Sequence, residues 1–192
     1  MRITAVSLTL ATFILASSLQ LHAGTLNNVT LNNVTLPDTA QVGSTTLVLN
    51  GMGLRTKYMV KVYVAGLYLP QKSSDPAAIL KADVPKRIVM HFVRDVSKSQ
   101  LTDGFTDSFN DNAPDAAKTL KTEIDHFFSA LGPIKDGEEL VFTYIPGTGT
   151  TVAEAGKDKL TIPGSAFGEM LFSVWLGPKP PNAALKKGIL GQ

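Results

Sequence analysis

The stretch that most constrains this chain is Lys57 to Leu69, Lys-Tyr-Met-Val-Lys-Val-Tyr-Val-Ala-Gly-Leu-Tyr-Leu. β-Branched and aromatic side chains dominate it, and these suit a pleated, packed backbone. Alternate residues of a strand face opposite ways. Tyr58, Val60, Val62, Val64 and Tyr68 then share one face, and Met59, Lys61, Tyr63, Ala65 and Leu67 the other. Both faces are largely apolar, which predicts a long interior strand covered on both sides. Gly66 inside it marks a bulge or a point of close approach.

The flanking segments fix the fold class. Thr45 to Asn50 is a short β-rich run, and Asn50-Gly51 is a turn signal. Asp75-Pro76 reads as an N-cap with proline at the first helical position, opening a helix through Ala82. Lys86 to Val93 is a strand. Ser97 and Gln100 then form a capping box and Val96 and Leu101 a hydrophobic staple. Leu101, Phe105 and Phe109 line one face of that helix. After Pro114 a longer helix carries Ala116, Leu120, Ile124, Phe127 and Leu131, and Gly132-Pro133 stops it. Strands follow at Glu139–Ile145, Thr150–Ala153 and Lys159–Ile162. A helix from about Ser165 bears the stripe Phe167, Met170, Leu171, Val174 and Trp175, and a last one spans about Asn182 to Ile189. Strands early and late with helices between and after predict an α+β fold, an antiparallel sheet with helices packed on it.

The N-terminus is a separate matter. Arg2 precedes an uncharged apolar stretch, Ile3 to Leu21, and Leu21-His22-Ala23 offers a small residue for cleavage. This predicts a signal peptide over residues 1–23 and a periplasmic or secreted protein, with an uncleaved anchor as the alternative. Residues 24–41 read as a flexible leader containing a tandem duplication, Thr25-Leu-Asn-Asn-Val29 and Thr30-Leu-Asn-Asn-Val34. Residues 42–192 read as a single domain. No second apolar run approaches spanning length, so no stable membrane span is expected after cleavage.

The catalytic vocabulary is sparse. Net charge is +2 with scattered basic residues, which gives no nucleic-acid footprint. With no cysteine, disulfides, thiolate metal sites and cysteine nucleophiles are excluded. Gly51-Met-Gly53 lacks the third glycine of a dinucleotide fingerprint, and Gly156-Lys157 lacks the first glycine of a phosphate loop. Outside the N-terminal segment the histidines are His91, mid-strand, and His126, on a helix beside Asp125. They make no metal cluster, and no cofactor is expected. His91 is a hydrogen-bonded strand residue or else a lone haem ligand. Arg55, between Gly53 and the long strand, is a strand-end surface cation or else a clamp for an anionic oxygen, which its planar fork suits.

Gly51-Met-Gly-Leu-Arg55 followed by Val62-Tyr-Val-Ala-Gly66-Leu-Tyr-Leu69 resembles the chalcone isomerase superfamily, in particular its bacterial chalcone isomerase-like branch, whose members often carry signal peptides. The likeness extends over most of residues 42–191, through Phe92-Val-Arg94-Asp95-Val96-Ser97, Val174-Trp-Leu-Gly177 and Leu185-Lys-Lys-Gly188-Ile-Leu-Gly191. It implies the chalcone isomerase-like fold, an antiparallel β-sheet with a layer of helices and a ligand cleft between. The family's plant enzymes add a phenolate to a conjugated ketone. An arginine holds the anion, and a threonine and a tyrosine position the ketone. The resemblance puts the arginine at Arg55 and the threonine at Tyr63. It puts the tyrosine, lysine and asparagine of the next helix at Phe105, Ser108 and Asn112, and a later polar position at Val174. Only the arginine and asparagine survive. The expectation is therefore a non-catalytic binder of a small apolar or fatty-acid-like ligand, its acidic head held by Arg55 with Tyr63 and Asn112. An isomerase with an unknown substrate and a haem-binding protein are the alternatives.

Overall fold

In the computed structural model, which describes residues 28–192, the strands pair strictly in chain order. β1 (Asn28–Leu31) and β2 (Val34–Pro37) form a hairpin of their own. β3 (Thr39–Val42), β4 (Thr45–Lys57), β5 (Val60–Leu69), β6 (Lys86–Phe92), β7 (Glu139–Ile145), β8 (Gly149–Glu154) and β9 (Lys157–Ile162) make one antiparallel seven-stranded sheet. Such a sheet needs no crossovers, so the connections are free to carry helices. α1 (Pro76–Lys81) lies between β5 and β6. α2 (Lys98–Asn112), α3 (Pro114–Thr119) and α4 (Lys121–Ala130) lie between β6 and β7. α5 (Ala166–Leu176) and α6 (Ala183–Ile189) follow β9. The α+β architecture is as expected, and no helix among the described residues is long and apolar enough to cross a membrane.

The period-2 and period-3.6 patterns meet in one core. Tyr63, Leu67, Ile88, Phe92 and Phe142 on one sheet face pack with Phe105, Phe109, Phe127, Phe172 and Trp175 from the helices. Val64, Tyr68 and Val89 point the other way, into a smaller cluster roofed by Val34 and Leu36 of the β1–β2 hairpin. β5 is thus covered on both sides. Its Gly66 is a point of close approach, because a Cβ there would meet the Leu36 side chain. The helix starts follow the chemistry of their caps. Asp75 accepts from the backbone N–H groups of Ala77 and Ala78. Ser97 and Gln100 close their capping box, at 3.2 Å for the Ser97 Oγ bond and 2.9 Å for the Gln100 Oε1 bond. Buried Lys86 also serves a helix end, its Nζ donating to the carbonyls of Ile79, Leu80 and Ala82 at the close of α1.

Four expectations are corrected. The segment 24–41 is not a flexible leader from residue 28 onward. The duplicated Asn-Asn forms a tight turn, with Asn32 at φ 57° and Asn33 at φ 66°. Val34 and Leu36 then alternate into the outer cluster. The run from Lys57 is not one strand, because the chain reverses at Tyr58-Met59, and Lys57 pairs with Val60. Asn50-Gly51 is not a turn but lies within β4, where the register slips between Leu49 and Gly51. The buried Asn50 side chain leaves the pairing to donate to the carbonyls of Ser73 and Ile189 and to accept from the Ser73 N–H. Gly51 and Gly53 serve helix packing: a Cβ on either would collide with the backbone of α6, and one on Gly188 would collide with Met52. The long helix after Pro114 is two helices that meet at Leu120, although Ile124 and Phe127 keep their inward faces. The signal peptide expected over residues 1–23 lies outside the described residues.

Candidate functional site

Strand register sets up the site. Arg55 of β4 is paired with Tyr63 of β5, and Tyr63 with Phe92 of β6, so the three stand in a row across the sheet. Directly opposed residues of antiparallel strands share a face. Tyr63 and Phe92 point to the helical side, with ring centroids 5.5 Å apart. The register slips again just past Arg55, leaving Val62 as an extra residue, so adjacent Val62 and Tyr63 both border the space below α2. That space is a cavity of about 650 Å³, within the usual size of small-ligand sites, about 300–1,000 Å³. Its apolar wall includes Val62, Met90, Leu101, Phe105, Val174 and Trp175.

Its lining also carries charge, Lys57, Arg94 and Lys179 against Asp95, Asp103, Asp107 and Asp111, while the sheet contributes Arg55 and Tyr63. Half-buried Arg55 donates through Nη1 to the carbonyls of Thr56 and Pro181, the latter at 2.9 Å. Those two bonds anchor one end of the guanidinium. Among the described residues no carboxylate pairs with it. Buried Tyr63 accepts a hydrogen bond from Trp175 Nε1–H at 3.0 Å. A phenol that accepts from the indole keeps its own O–H to donate. Burial pushes the Tyr63 phenol up to about 12, against the smaller opposing pulls of the Trp175 bond and the Arg55 charge, so it stays a neutral donor at ordinary pH. A cation and a neutral donor side by side at the edge of an apolar chamber can hold two oxygens of one anion.

Of the six residues expected at the site, the structure brings five to this cavity: Arg55, Tyr63, Phe105, Ser108 and Val174. Asn112 stands apart. Its side chain donates to the carbonyls of Ser108 and Lys179 and accepts from the Lys179 N–H, which ties the end of α2 to the segment after α5. That corrects its expected role from ligand contact to positioning. Phe105 sits in a ring cluster, edge-on to Phe127, Phe142 and Trp175. His91 projects from the opposite face of β6 to Met90 and Phe92 and is engaged by Glu139 at 3.1 Å. It does not border the cavity. His126 is exposed.

Sequence reasoning missed Trp175 and the Lys179–Pro181 segment. In the sequence Trp175 belongs to a core stripe and to the family motif, yet a buried indole N–H needs an acceptor, and that need points to Tyr63. Pro180-Pro181 offers carbonyls without N–H donors, which makes it a natural seat for an arginine.

The comparisons agree with this fold. A fatty-acid binding protein of Arabidopsis thaliana matches in structure with a TM-score of 0.68 at 15% identity, over 85% of this chain and 96% of that one. At that identity the likeness shows the fold. No curated protein sequence matches the chain. The chalcone isomerase-like family model matches residues 28–191, and the chain belongs to the chalcone isomerase-like family.

Proposed function

We propose that this protein is an exported binder of a small apolar ligand with an acidic head, without ring-closing activity. The observation that carries the reading is the unpaired Arg55 guanidinium beside the free Tyr63 O–H at the edge of an apolar cavity. An anion there gains charge-assisted bonds from groups that already stand in place, and its tail gains burial. The donors that would serve a ketone in the transition state are missing, because the family's tyrosine and later polar positions hold Phe105 and Val174. Binding needs the arginine and the chamber; acceleration needs donors placed for the transition state. The structurally similar fatty-acid binding protein supports the same ligand class. Haem gains nothing from this geometry, since His91 lies on the far side of the sheet.

The test is native mass spectrometry of the purified protein with organic extraction of what it carries, beside Arg55→Ala. A co-purifying apolar acid, lost in the variant, supports the carrier. An empty protein that also fails to bind dodecanoate in titration sinks it. The same intact mass reports export processing, because cleavage after Ala23 removes residues 1–23.

A further inference from the structure

We propose that the tip of the β4–β5 hairpin docks the protein on anionic lipid bilayers and brings the mouth of the cavity to the membrane. Two residues with positive φ make this turn, Tyr58 at 50° and Met59 at 65°. Both conformations favour Asn or Gly, and the β1–β2 turn of this same fold uses Asn32 and Asn33 for them. At the β4–β5 tip the chain instead holds two large side chains, with Tyr58 90% exposed, Met59 99% and the following Val60 44%. They add nothing to the core in exchange for the strain. Met59 touches neither the core nor the cavity, and an exposed apolar side chain kept at a strained turn points to a contact outside the molecule.

The surroundings point to lipid. From Arg55 to Lys61 the chain reads Arg-Thr-Lys-Tyr-Met-Val-Lys, three cations and no acid. Lys57 Nζ lies 5.9 Å from the Tyr58 ring centre, and Lys61 Nζ is steadied by Asn32 Oδ1 at 2.8 Å. An aromatic ring and a thioether flanked by lysines is the pattern that settles at an anionic bilayer interface. A second copy of the chain is a poorer occupant, since three side chains fall far short of the roughly 800 Å² per partner of a stable dimer. Lys57, Tyr58 and Val60 also border the cavity. Docking by this tip therefore sets the cavity opening against lipid, where a ligand with an apolar tail would exchange. That last step rests on the binder reading above; the docking itself does not.

The test is flotation of the processed chain, its N-terminus read by intact mass, with vesicles of phosphatidylglycerol and phosphatidylethanolamine or of phosphatidylcholine alone. The wild-type protein is expected to float with the anionic vesicles and far less with the neutral ones. Met59→Gly, which relaxes the turn, is expected to weaken flotation about tenfold. Lys57→Gln with Lys61→Gln is expected to abolish the preference for anionic lipid. Met59 does not border the cavity, so Met59→Gly should bind dodecanoate in solution as the wild type does. No flotation with either vesicle, or Met59→Gly floating like wild type, overturns the proposal. So does a wild-type dimer in sedimentation velocity that Met59→Gly dissolves. Flotation without dodecanoate binding would uphold docking and defeat the binder reading, and the reverse result would separate them the other way.

Discussion

The strained hairpin gives the most direct test of the physical reasoning. Replacing Tyr58-Met59 by Asn-Gly puts at this turn the residues its backbone favours. The left-handed conformation costs an ordinary L-residue about 1–2 kcal/mol. Glycine at 59 removes that cost outright, and asparagine at 58 removes part of it. Side-chain burial lost is close to nil, since Tyr58 and Met59 are 90% and 99% exposed. Against the gain stand the extra unfolded-state freedom of glycine, about 0.5–1 kcal/mol, and the exposed Lys57–Tyr58 contact, at most about 0.5–1 kcal/mol. The net is a stabilisation of about 1 kcal/mol, or about 2–4 °C in Tm for a domain of this size. Urea unfolding and calorimetry of the double variant read it. A loss of stability would refute the account, because it would mean that the tip packs against something or that the turn is not left-handed at both residues.

The remaining predictions follow from other parts of the molecule. Gly53→Ala should destabilise by about 1–3 kcal/mol, read by denaturant midpoint, because its Cβ would press on the Leu185 backbone of α6. Tyr63 should make the protein alkali-sensitive. Burial lifts it from the ordinary 10.0 to about 12, so its contribution is whole below pH 10 and is lost as pH rises from about 10 to 12. At most about 2–3 kcal/mol is at stake, and Tyr63→Phe should blunt that part of the stability profile. Tyr63→Phe should also weaken dodecanoate binding about tenfold by removing one donor to the head group, with a smaller loss than Arg55→Ala in the same titration.

What could be read in the sequence was whatever burial and capping dictate locally. The Asp75 and Ser97 caps, the Phe105–Phe109 face and the inward side of β5 from Tyr63 to Leu69 all stand where the periodicity put them. What was lost depended on partners distant in the chain. Asn50-Gly51 has the chemistry of a turn, yet Asn50 is claimed by Ser73 and Ile189, and Gly51 is pressed by the Gly188 carbonyl. Tertiary packing overrode the local signal. The reversal at Tyr58-Met59 was invisible because neither residue favours a turn. The duplicated Asn-Asn has turn chemistry, but its strands owe their place to distant partners, with Val34 and Leu36 packed in the outer cluster and the Pro37 carbonyl accepting from Tyr68. At the site, the resemblance supplied Arg55 and Tyr63, whereas the separation of Asn112 from the cavity depends on where the chain after α5 returns to α2.

Set against the residues that the resemblance implies for the family's enzymes, Phe105 and Tyr63 make chemical sense together. A tyrosine hydroxyl at position 105 would enter a ring cluster, with Phe127, Phe142 and Trp175 set edge-on around that ring. Any part of it turned away from the cavity would have no partner there and would bear the cost of an unmade hydrogen bond. Phe105 removes that cost and extends the apolar wall. On the sheet, Tyr63 stands opposite Arg55 and receives the indole N–H of Trp175. One buried phenol thus satisfies a buried donor and keeps its own proton for a ligand oxygen. A ketone undergoing ring closure needs donors on its carbonyl while a phenolate is held elsewhere, which are two separated polar points. On the sheet side of this cavity Arg55 and Tyr63 stand paired across neighbouring strands, and a single acidic head with an apolar body is the proposed match to that pair.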